Sequence, residues 1–319
     1  MKDTKYAYAT ANIRAMETRL LDKGFFERIL SSPTFDEAKR MAADKGFSAL
    51  ESTADPLEAL GGYMQDTWDY VREIAPTEHE FDFLIVKNDF HNLKAATKAM
   101  FTGADAKNFC ISPSLIEIGE LCEKVENRNY DLPPWIAKAA QSGYELLSST
   151  MNGQLFDMYA DRCSIEASLD MASDGFAKEL ANTAAALTDI KTALRMARVN
   201  AAENLYDYAF AECDDVDPSE LKRAALKGYE HVVSYIENGR FSSLAPYAAK
   251  SVTEFEKMSD NYVKQMLDVS KTVSFGPEPI ISYYLAKETE LKNLRIALSA
   301  VHARLDKNGA AERLRELYV

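Results

Sequence analysis

Three short stretches of this chain share one arrangement of residue types. In Asn92-Leu93-Lys94, Asp189-Ile190-Lys191 and Asn293-Leu294-Arg295 an amide or carboxylate precedes an aliphatic residue and a cation follows it. Around each, apolar residues step alternately by three and four: Phe83, Val86, Phe90, Leu93, Thr97 and Met100; then Leu187, Ile190, Leu194 and Ala197; then Leu291, Leu294, Leu298 and Val301. Such stepping builds one apolar face on a helix. The rhythm alone is common, but the shared polar register is not. The intervals from 92 to 189 and from 189 to 293 are each close to a third of the 319-residue chain, so the sequence predicts a threefold internal repeat. That interval exceeds the roughly 20 to 50 residues per unit of solenoid arrays. We therefore expect three similar helical lobes, with boundaries near 107 and 213: residues 1–107, 108–213 and 214–319. No long Gly/Ser or Pro-rich linker separates the thirds, so the lobes are expected to pack together around a central space.

The punctuation of the chain is that of helices, and the expected fold class is all-α. Thr34-Phe35-Asp36-Glu37 and Thr77-Glu78-His79-Glu80 have the capping-box form, in which hydroxyl and carboxylate satisfy free backbone N–H groups at a helix start. Asp55-Pro56-Leu57-Glu58, Asp131-Leu132-Pro133-Pro134 and Asp217-Pro218-Ser219-Glu220 set an acidic cap near a proline, which is tolerated in a first turn because its missing N–H has no helical partner there. Gly46 and Gly103 stand where helices should stop, and Lys307-Asn308-Gly309-Ala310 reads as a helix break. No sustained apolar/polar alternation between tight-turn pairs marks a strand.

Composition narrows the function classes. Apolar residues make up 47% of the chain, enough for a substantial core. With 37 Lys+Arg against 50 Asp+Glu, the formal charge of −13 repels phosphate backbones and gives no electrostatic drive onto anionic lipid, which argues against a nucleic-acid partner. The opening MKDTKYAYATANIRAMETRLL has no apolar core of a secretory signal and reads as a helix of the mature fold. The longest clean apolar run, Phe83 to Val86, is far below the roughly 20 residues of a spanning helix. Cys110, Cys122, Cys163 and Cys213 form no CxxC pair, so no zinc or redox motif is expected and a reducing compartment is.

No motif that carries chemistry has the required residues at the required spacing. The glycine-rich phosphate cradles GxxxxGK[ST] and GxGxxG are missing, as are the GxSxG elbow and HExxH. Four histidines, His79, His91, His231 and His302, are scattered, so metal-assisted hydrolysis has little support. Asp214-Asp215-Val216-Asp217-Pro218 resembles the DDxxD motif with which all-α isoprenoid synthases hold magnesium-bridged diphosphate. Pro218 replaces the final aspartate, however, and Asp217-Pro218 is better explained as a helix start. Glu288 and Lys292, four apart in the favourable order, fit simple stabilisation of a helix face. No catalytic, cofactor-binding or metal-ligating residue is expected.

The quoted segments, in their order and spacing, resemble a known family across essentially the whole chain. Tyr6 to Leu21 (YAYATANIRAMETRLL), Phe26 to Phe47, Leu84 to Ala99 (LIVKNDFHNLKAATKA), Leu187 to Arg198 (LTDIKTALRMAR), Tyr284 to Leu298 (YLAKETELKNLRIAL) and the ending Arg313 to Val319 (RLRELYV) are similar to the C subunits of V/A-type rotary ATPases, relatives of the d subunit of the eukaryotic vacuolar ATPase. The resemblance implies three similar lobes around a pseudo-threefold axis, forming a funnel, and a part that is not itself an enzyme. It implies a place on the cytoplasmic face of the membrane, between the central stalk and the proteolipid ring, with those components as partners in proton or sodium transport. Asn92, Leu93, Lys94, Asp189, Ile190, Lys191, Asn293, Leu294 and Arg295 are the signature positions, read as structural in the first place and as interfacial in the second. The alternatives are a helical scaffold or adaptor unrelated to rotary motors and, behind it, an all-α magnesium-dependent diphosphate enzyme.

Overall fold

The computed structural model describes residues 4–53, 56–173 and 175–319. Among them the chain is helical throughout, with one isolated bridge from Cys213 to Val216 in place of any sheet. In order the helices are α1 (Ala7–Glu17), α2 (Lys23–Leu30), α3 (Phe35–Ala43), α4 (Ala49–Ser52), α5 (Pro56–Ile74), α6 (Val86–Thr102), α7 (Ile118–Glu126) and α8 (Pro134–Thr150). They continue with α9 (Gly153–Met171), α10 (Phe176–Arg198), α11 (Pro218–Lys227), α12 (Tyr229–Glu237), α13 (Ala245–Lys250), α14 (Val252–Leu267), α15 (Glu278–His302) and α16 (Lys307–Ala311). No described helix is long and apolar enough to cross a membrane. The helices fall into two compact units, one of residues up to Glu78 with Asp260–Val319, the other of His79–Ser259. These cuts do not coincide with 107 and 213.

The first unit is organised by α15. Its buried residues run from Pro279 to Ala300 on several sides of the helix, as they must in a helix enclosed by neighbours. α1, α2, α3 and α5 pack on it. Phe25, Phe26, Ile29 and Leu30 of α2 meet Leu291, Leu294 and Leu298 of α15 in one core with Leu50 and Leu60. Trp68 of α5 meets Tyr284 edge to face, ring centres 5.8 Å apart. The start of α3 is capped as expected, Thr34 Oγ1 accepting from Glu37 N–H at 3.2 Å. Its end is closed by Gly46, at φ 103°, where a side chain would strain the backbone, as the N–H groups of Gly46 and Phe47 return to the carbonyls of Ala43 and Ala42. Lys307-Asn308-Gly309-Ala310 is not a break, contrary to the sequence reading. It is α16 itself, begun by Asp306, whose carboxylate accepts from Gly309 N–H at 2.7 Å. The break precedes it, between the end of α15 and Asp306.

In the second unit α6 packs on α7 and α9, α8 on α9, and α10 on α9, α11 and α12. Val86, Phe90 and Leu93 form a core with Leu121, Val125, Leu132 and Ile136. The Ala-rich α10 is buried on several faces, small side chains letting its neighbours approach closely. A similar closeness fixes Gly143 of α8, where an added Cβ would lie 2.6 Å from the Phe156 ring of α9. Gly103 ends α6 in the left-handed conformation, φ 70°, as expected. Asp217 caps α11, accepting from Ser219 N–H at 2.8 Å and Glu220 N–H at 3.1 Å.

Two capping expectations fail. Thr77-Glu78-His79-Glu80 starts no helix. His79 adopts φ 64°, its ring bonds Asp82 at 2.7 Å, and the chain passes through a 3-10 turn, Asp82–Leu84, before α6 begins. At Asp131-Leu132-Pro133-Pro134 the proline does open α8, but the cap residue is Pro133 and no side chain caps the end; Asp131 instead offers its carbonyl to Lys124 Nζ at 2.6 Å. At Asp55-Pro56-Leu57-Glu58 the expected cap, Asp55, lies outside the described residues, while α5 begins at Pro56.

Candidate functional site

The signature positions sit near the middle of the three helices that organise the packing: Asn92 on α6, Asp189 on α10 and Asn293 on α15. All three polar side chains are fully buried, as are Leu93, Ile190 and Leu294 beside them. Burying an amide is unfavourable unless its hydrogen-bonding capacity is met. Asn92 meets it with one residue's backbone: Oδ1 accepts from Ile111 N–H at 2.8 Å and Nδ2 donates to Ile111 C=O at 3.0 Å. Asn293 does the same with Arg315, at 2.9 and 3.0 Å. Asp189 Oδ2 accepts from Ala211 N–H at 3.0 Å. For Asn92, Asn293 and Asp189 the fastened residues lie 19, 22 and 22 positions further along the chain. In each case a core helix thus grips the irregular segment that follows it, supplying partners to backbone groups that no helix or sheet satisfies.

A second buried acid stands one turn before two of the three grips, and the sequence reading missed it; Asp89 holds the same segment as Asn92, whereas Glu290 holds the turn before α2. Three residues before Asn92, one turn back on α6, Asp89 accepts from Ile116 N–H at 2.9 Å and Leu115 N–H at 3.0 Å. Burial pushes its carboxyl up to about 6 against the pull of those peptide bonds, with Asp82 nearby adding to the rise. Three residues before Asn293, the buried Glu290 accepts from Leu21 N–H at 2.6 Å and pairs with Lys287. Three residues before Asp189 stands Ala186. The signal was available: an acid three residues before each signature asparagine lies on the same face of the helix. The partner peptides 19 to 22 residues away, in segments without periodicity, left no such signal.

The cations after the aliphatic positions do not behave alike. Lys94 is half-buried and pairs with Asp161 on α9, while Lys191 is half-buried and Arg295 exposed. Arg295 lines an apolar cavity of about 410 Å³ with Ile296, Leu305 and Arg313. Lys292 pairs with Asp260 of α14, which also accepts from Arg315 Nε at 2.8 Å. The DDxxD-like stretch is engaged internally as well. Asp215 holds Arg240 Nη1 through both carboxylate oxygens at 2.6 Å, and Asp217 is a helix cap. No group of three or more potential metal ligands occurs among the described residues.

Comparison with known proteins matches this arrangement to a family. The sequence profile of the family described as ATP synthase (C/AC39) subunit matches residues 9–313. The chain is 21% identical to the C subunit of the V-type sodium ATPase of Enterococcus hirae, over 96% of this chain and 97% of that protein. It is 24% identical to the C subunit of the A-type ATP synthase of Methanocaldococcus jannaschii, over 91% of this chain and 81% of the relative. With that of Methanobrevibacter smithii the identity is 25%, over 92% and 84%. At such identities it is the length of the match that counts, running from the first described helix to the last, and by that length the chain belongs to the ATP synthase (C/AC39) subunit family.

Proposed function

We propose that this chain is a non-catalytic coupling part of a V/A-type rotary ATPase or ATP synthase, seated on the cytoplasmic face between the central stalk and the membrane proteolipid ring. The observation that carries the reading is the end-to-end match to proteins named as the C subunits of such complexes. In this reading the direction of ATP turnover and the choice of proton or sodium reside in other components of the complex. The packing is consistent with the task. A part that passes torque must not yield, and close-packed helical interiors resist deformation. The grips of Asn92, Asp189 and Asn293 extend that stiffness to the connecting segments.

The same grips support the threefold repeat of residues 1–107, 108–213 and 214–319, with Leu93, Ile190 and Leu294 as equivalent buried positions. The test of function is binding of the tagged, purified chain to isolated central-stalk proteins and to the detergent-solubilised proteolipid ring, separately and together. Simultaneous binding of both is the expected result. A folded, helical chain that binds neither would leave the free scaffold as the better reading, and robust ATP hydrolysis by the pure chain would overturn the non-catalytic one.

A further inference from the structure

The three grips are alike in placement but differ in one atom. Each asparagine uses an acceptor and a donor, Oδ1 taking the peptide N–H and Nδ2 giving to the C=O of that same residue. Asp189 keeps the acceptor half, but its other oxygen, Oδ1, is fully buried without a hydrogen-bond partner. An ionised carboxylate here would leave a fully buried charge with one oxygen unbonded, which is strongly unfavourable. The titratable groups facing it are Glu166 of α9, beside Arg162, and the thiol of Cys213 in the segment that Asp189 grips. Both are acids, so neither offsets a negative charge. No cation among the described residues of α11 and α12, which also pack on α10, acts on it.

We propose that Asp189 is a neutral carboxylic acid in the folded protein and that its Oδ1–H donates to the carbonyl of Ala211, reproducing with a proton the donor that Asn92 and Asn293 supply with an amide. The middle grip is then the one whose signature side chain itself titrates. The carboxyl is pushed up to about 8, first by burial, against the pull of the Ala211 N–H and with a further rise from Glu166. An acid whose folded value is raised contributes stability that is whole below the unfolded carboxylate range and is lost as pH climbs to the folded value. Asn92 and Asn293 do not titrate, so rising pH acts on the signature residue of the middle grip alone; Asp89 beside the first grip, raised to about 6, is shared by the wild type and D189N and cancels in their ratio. This inference rests on the grips alone and does not need the partners proposed above.

The test is Asp189→Asn in the full chain, followed by urea unfolding between pH 5.5 and 8.5. The unfolding constant of the wild type relative to D189N is expected to rise by about tenfold per pH unit up to near 8 and then level off. D189N should be at least as stable as the wild type at pH 8.5. In parallel, the infrared spectrum of the wild type near neutrality should contain the carbonyl stretch of an un-ionised carboxylic acid that shifts with isotopically labelled aspartate and is absent from D189N. Parallel pH profiles, with no such band, would overturn the proposal. So would a D189N chain that is less stable than the wild type at pH 8.5 or that fails to fold, since a neutral acid is replaced by its amide without loss of a bond.

Discussion

Consider removing the first and third grips in turn, as Asn92→Ala and Asn293→Ala. Each substitution deletes two hydrogen bonds at 2.8 to 3.0 Å and leaves a peptide N–H and a C=O facing a space lined by protein. A buried polar group left without its partner costs about 1–3 kcal/mol, and water reaching the half-exposed segments offsets part of that. We therefore expect a loss of about 2–4 kcal/mol for each variant, similar in size because the geometry is similar. The Asn293 variant also has a local consequence. The terminal segment keeps Asn261 Oδ1 accepting from Glu316 N–H at 3.0 Å and Tyr318 bonded to Ser270 at 2.7 Å, so it should loosen before it detaches. Urea unfolding gives the global loss, and native-state hydrogen exchange at the Ile111 and Arg315 amides gives the local one. At about 1.4 kcal/mol per factor of ten, protection there should fall by at least about tenfold in the matching variant and little in the other. A loss under about 0.5 kcal/mol with both amides still protected would refute the view that these asparagines fasten the segments.

Gly143→Ala should destabilise the second unit by about 1–3 kcal/mol, because the new methyl lands 2.6 Å from the Phe156 ring and α8 cannot withdraw from α9 without opening their shared core; thermal unfolding reads this directly. Asp217→Ala should cost about 1 kcal/mol through loss of the α11 cap, with magnesium shifting the unfolding midpoint of neither chain, whereas a magnesium-dependent midpoint present only in the wild type would revive the metal reading of the acidic stretch.

What the sequence made legible was whatever is encoded within a turn or two of helix. The all-helical class, the caps at Thr34 and Asp217, the stops at Gly46 and Gly103 and the buried faces through Leu93, Ile190 and Leu294 all depend on residues a few positions apart. Where local rules failed, a competing local fact was present. At Thr77 the chain follows Pro76 and His79 takes a left-handed turn, which a capping box cannot accommodate. At Gly309 the cap on Asp306 outweighs the low helix propensity of glycine in a helix of five residues. The grips themselves were only half visible. The recurrence of an amide or acid before the same aliphatic position pointed to a structural role, but its partner lies in a segment whose course is set by packing.

The three signature columns are constrained unequally. A buried asparagine holding one residue's backbone by both its groups has almost no substitute, and the one exchange seen, to Asp189, keeps the side-chain shape and the acceptor. Leu93 and Leu294 are confined by the cores around them, and Ile190 is as deeply buried, so a changed volume is felt. The cation column faces no such constraint. Lys94 is drawn to Asp161, and Arg295 borders a cavity, each answering to its own neighbours. Exposed ion pairs contribute little and are readily exchanged. A shared cation in the sequence therefore does not imply three copies of one contact, whereas the shared buried polar position does imply three copies of one fastening.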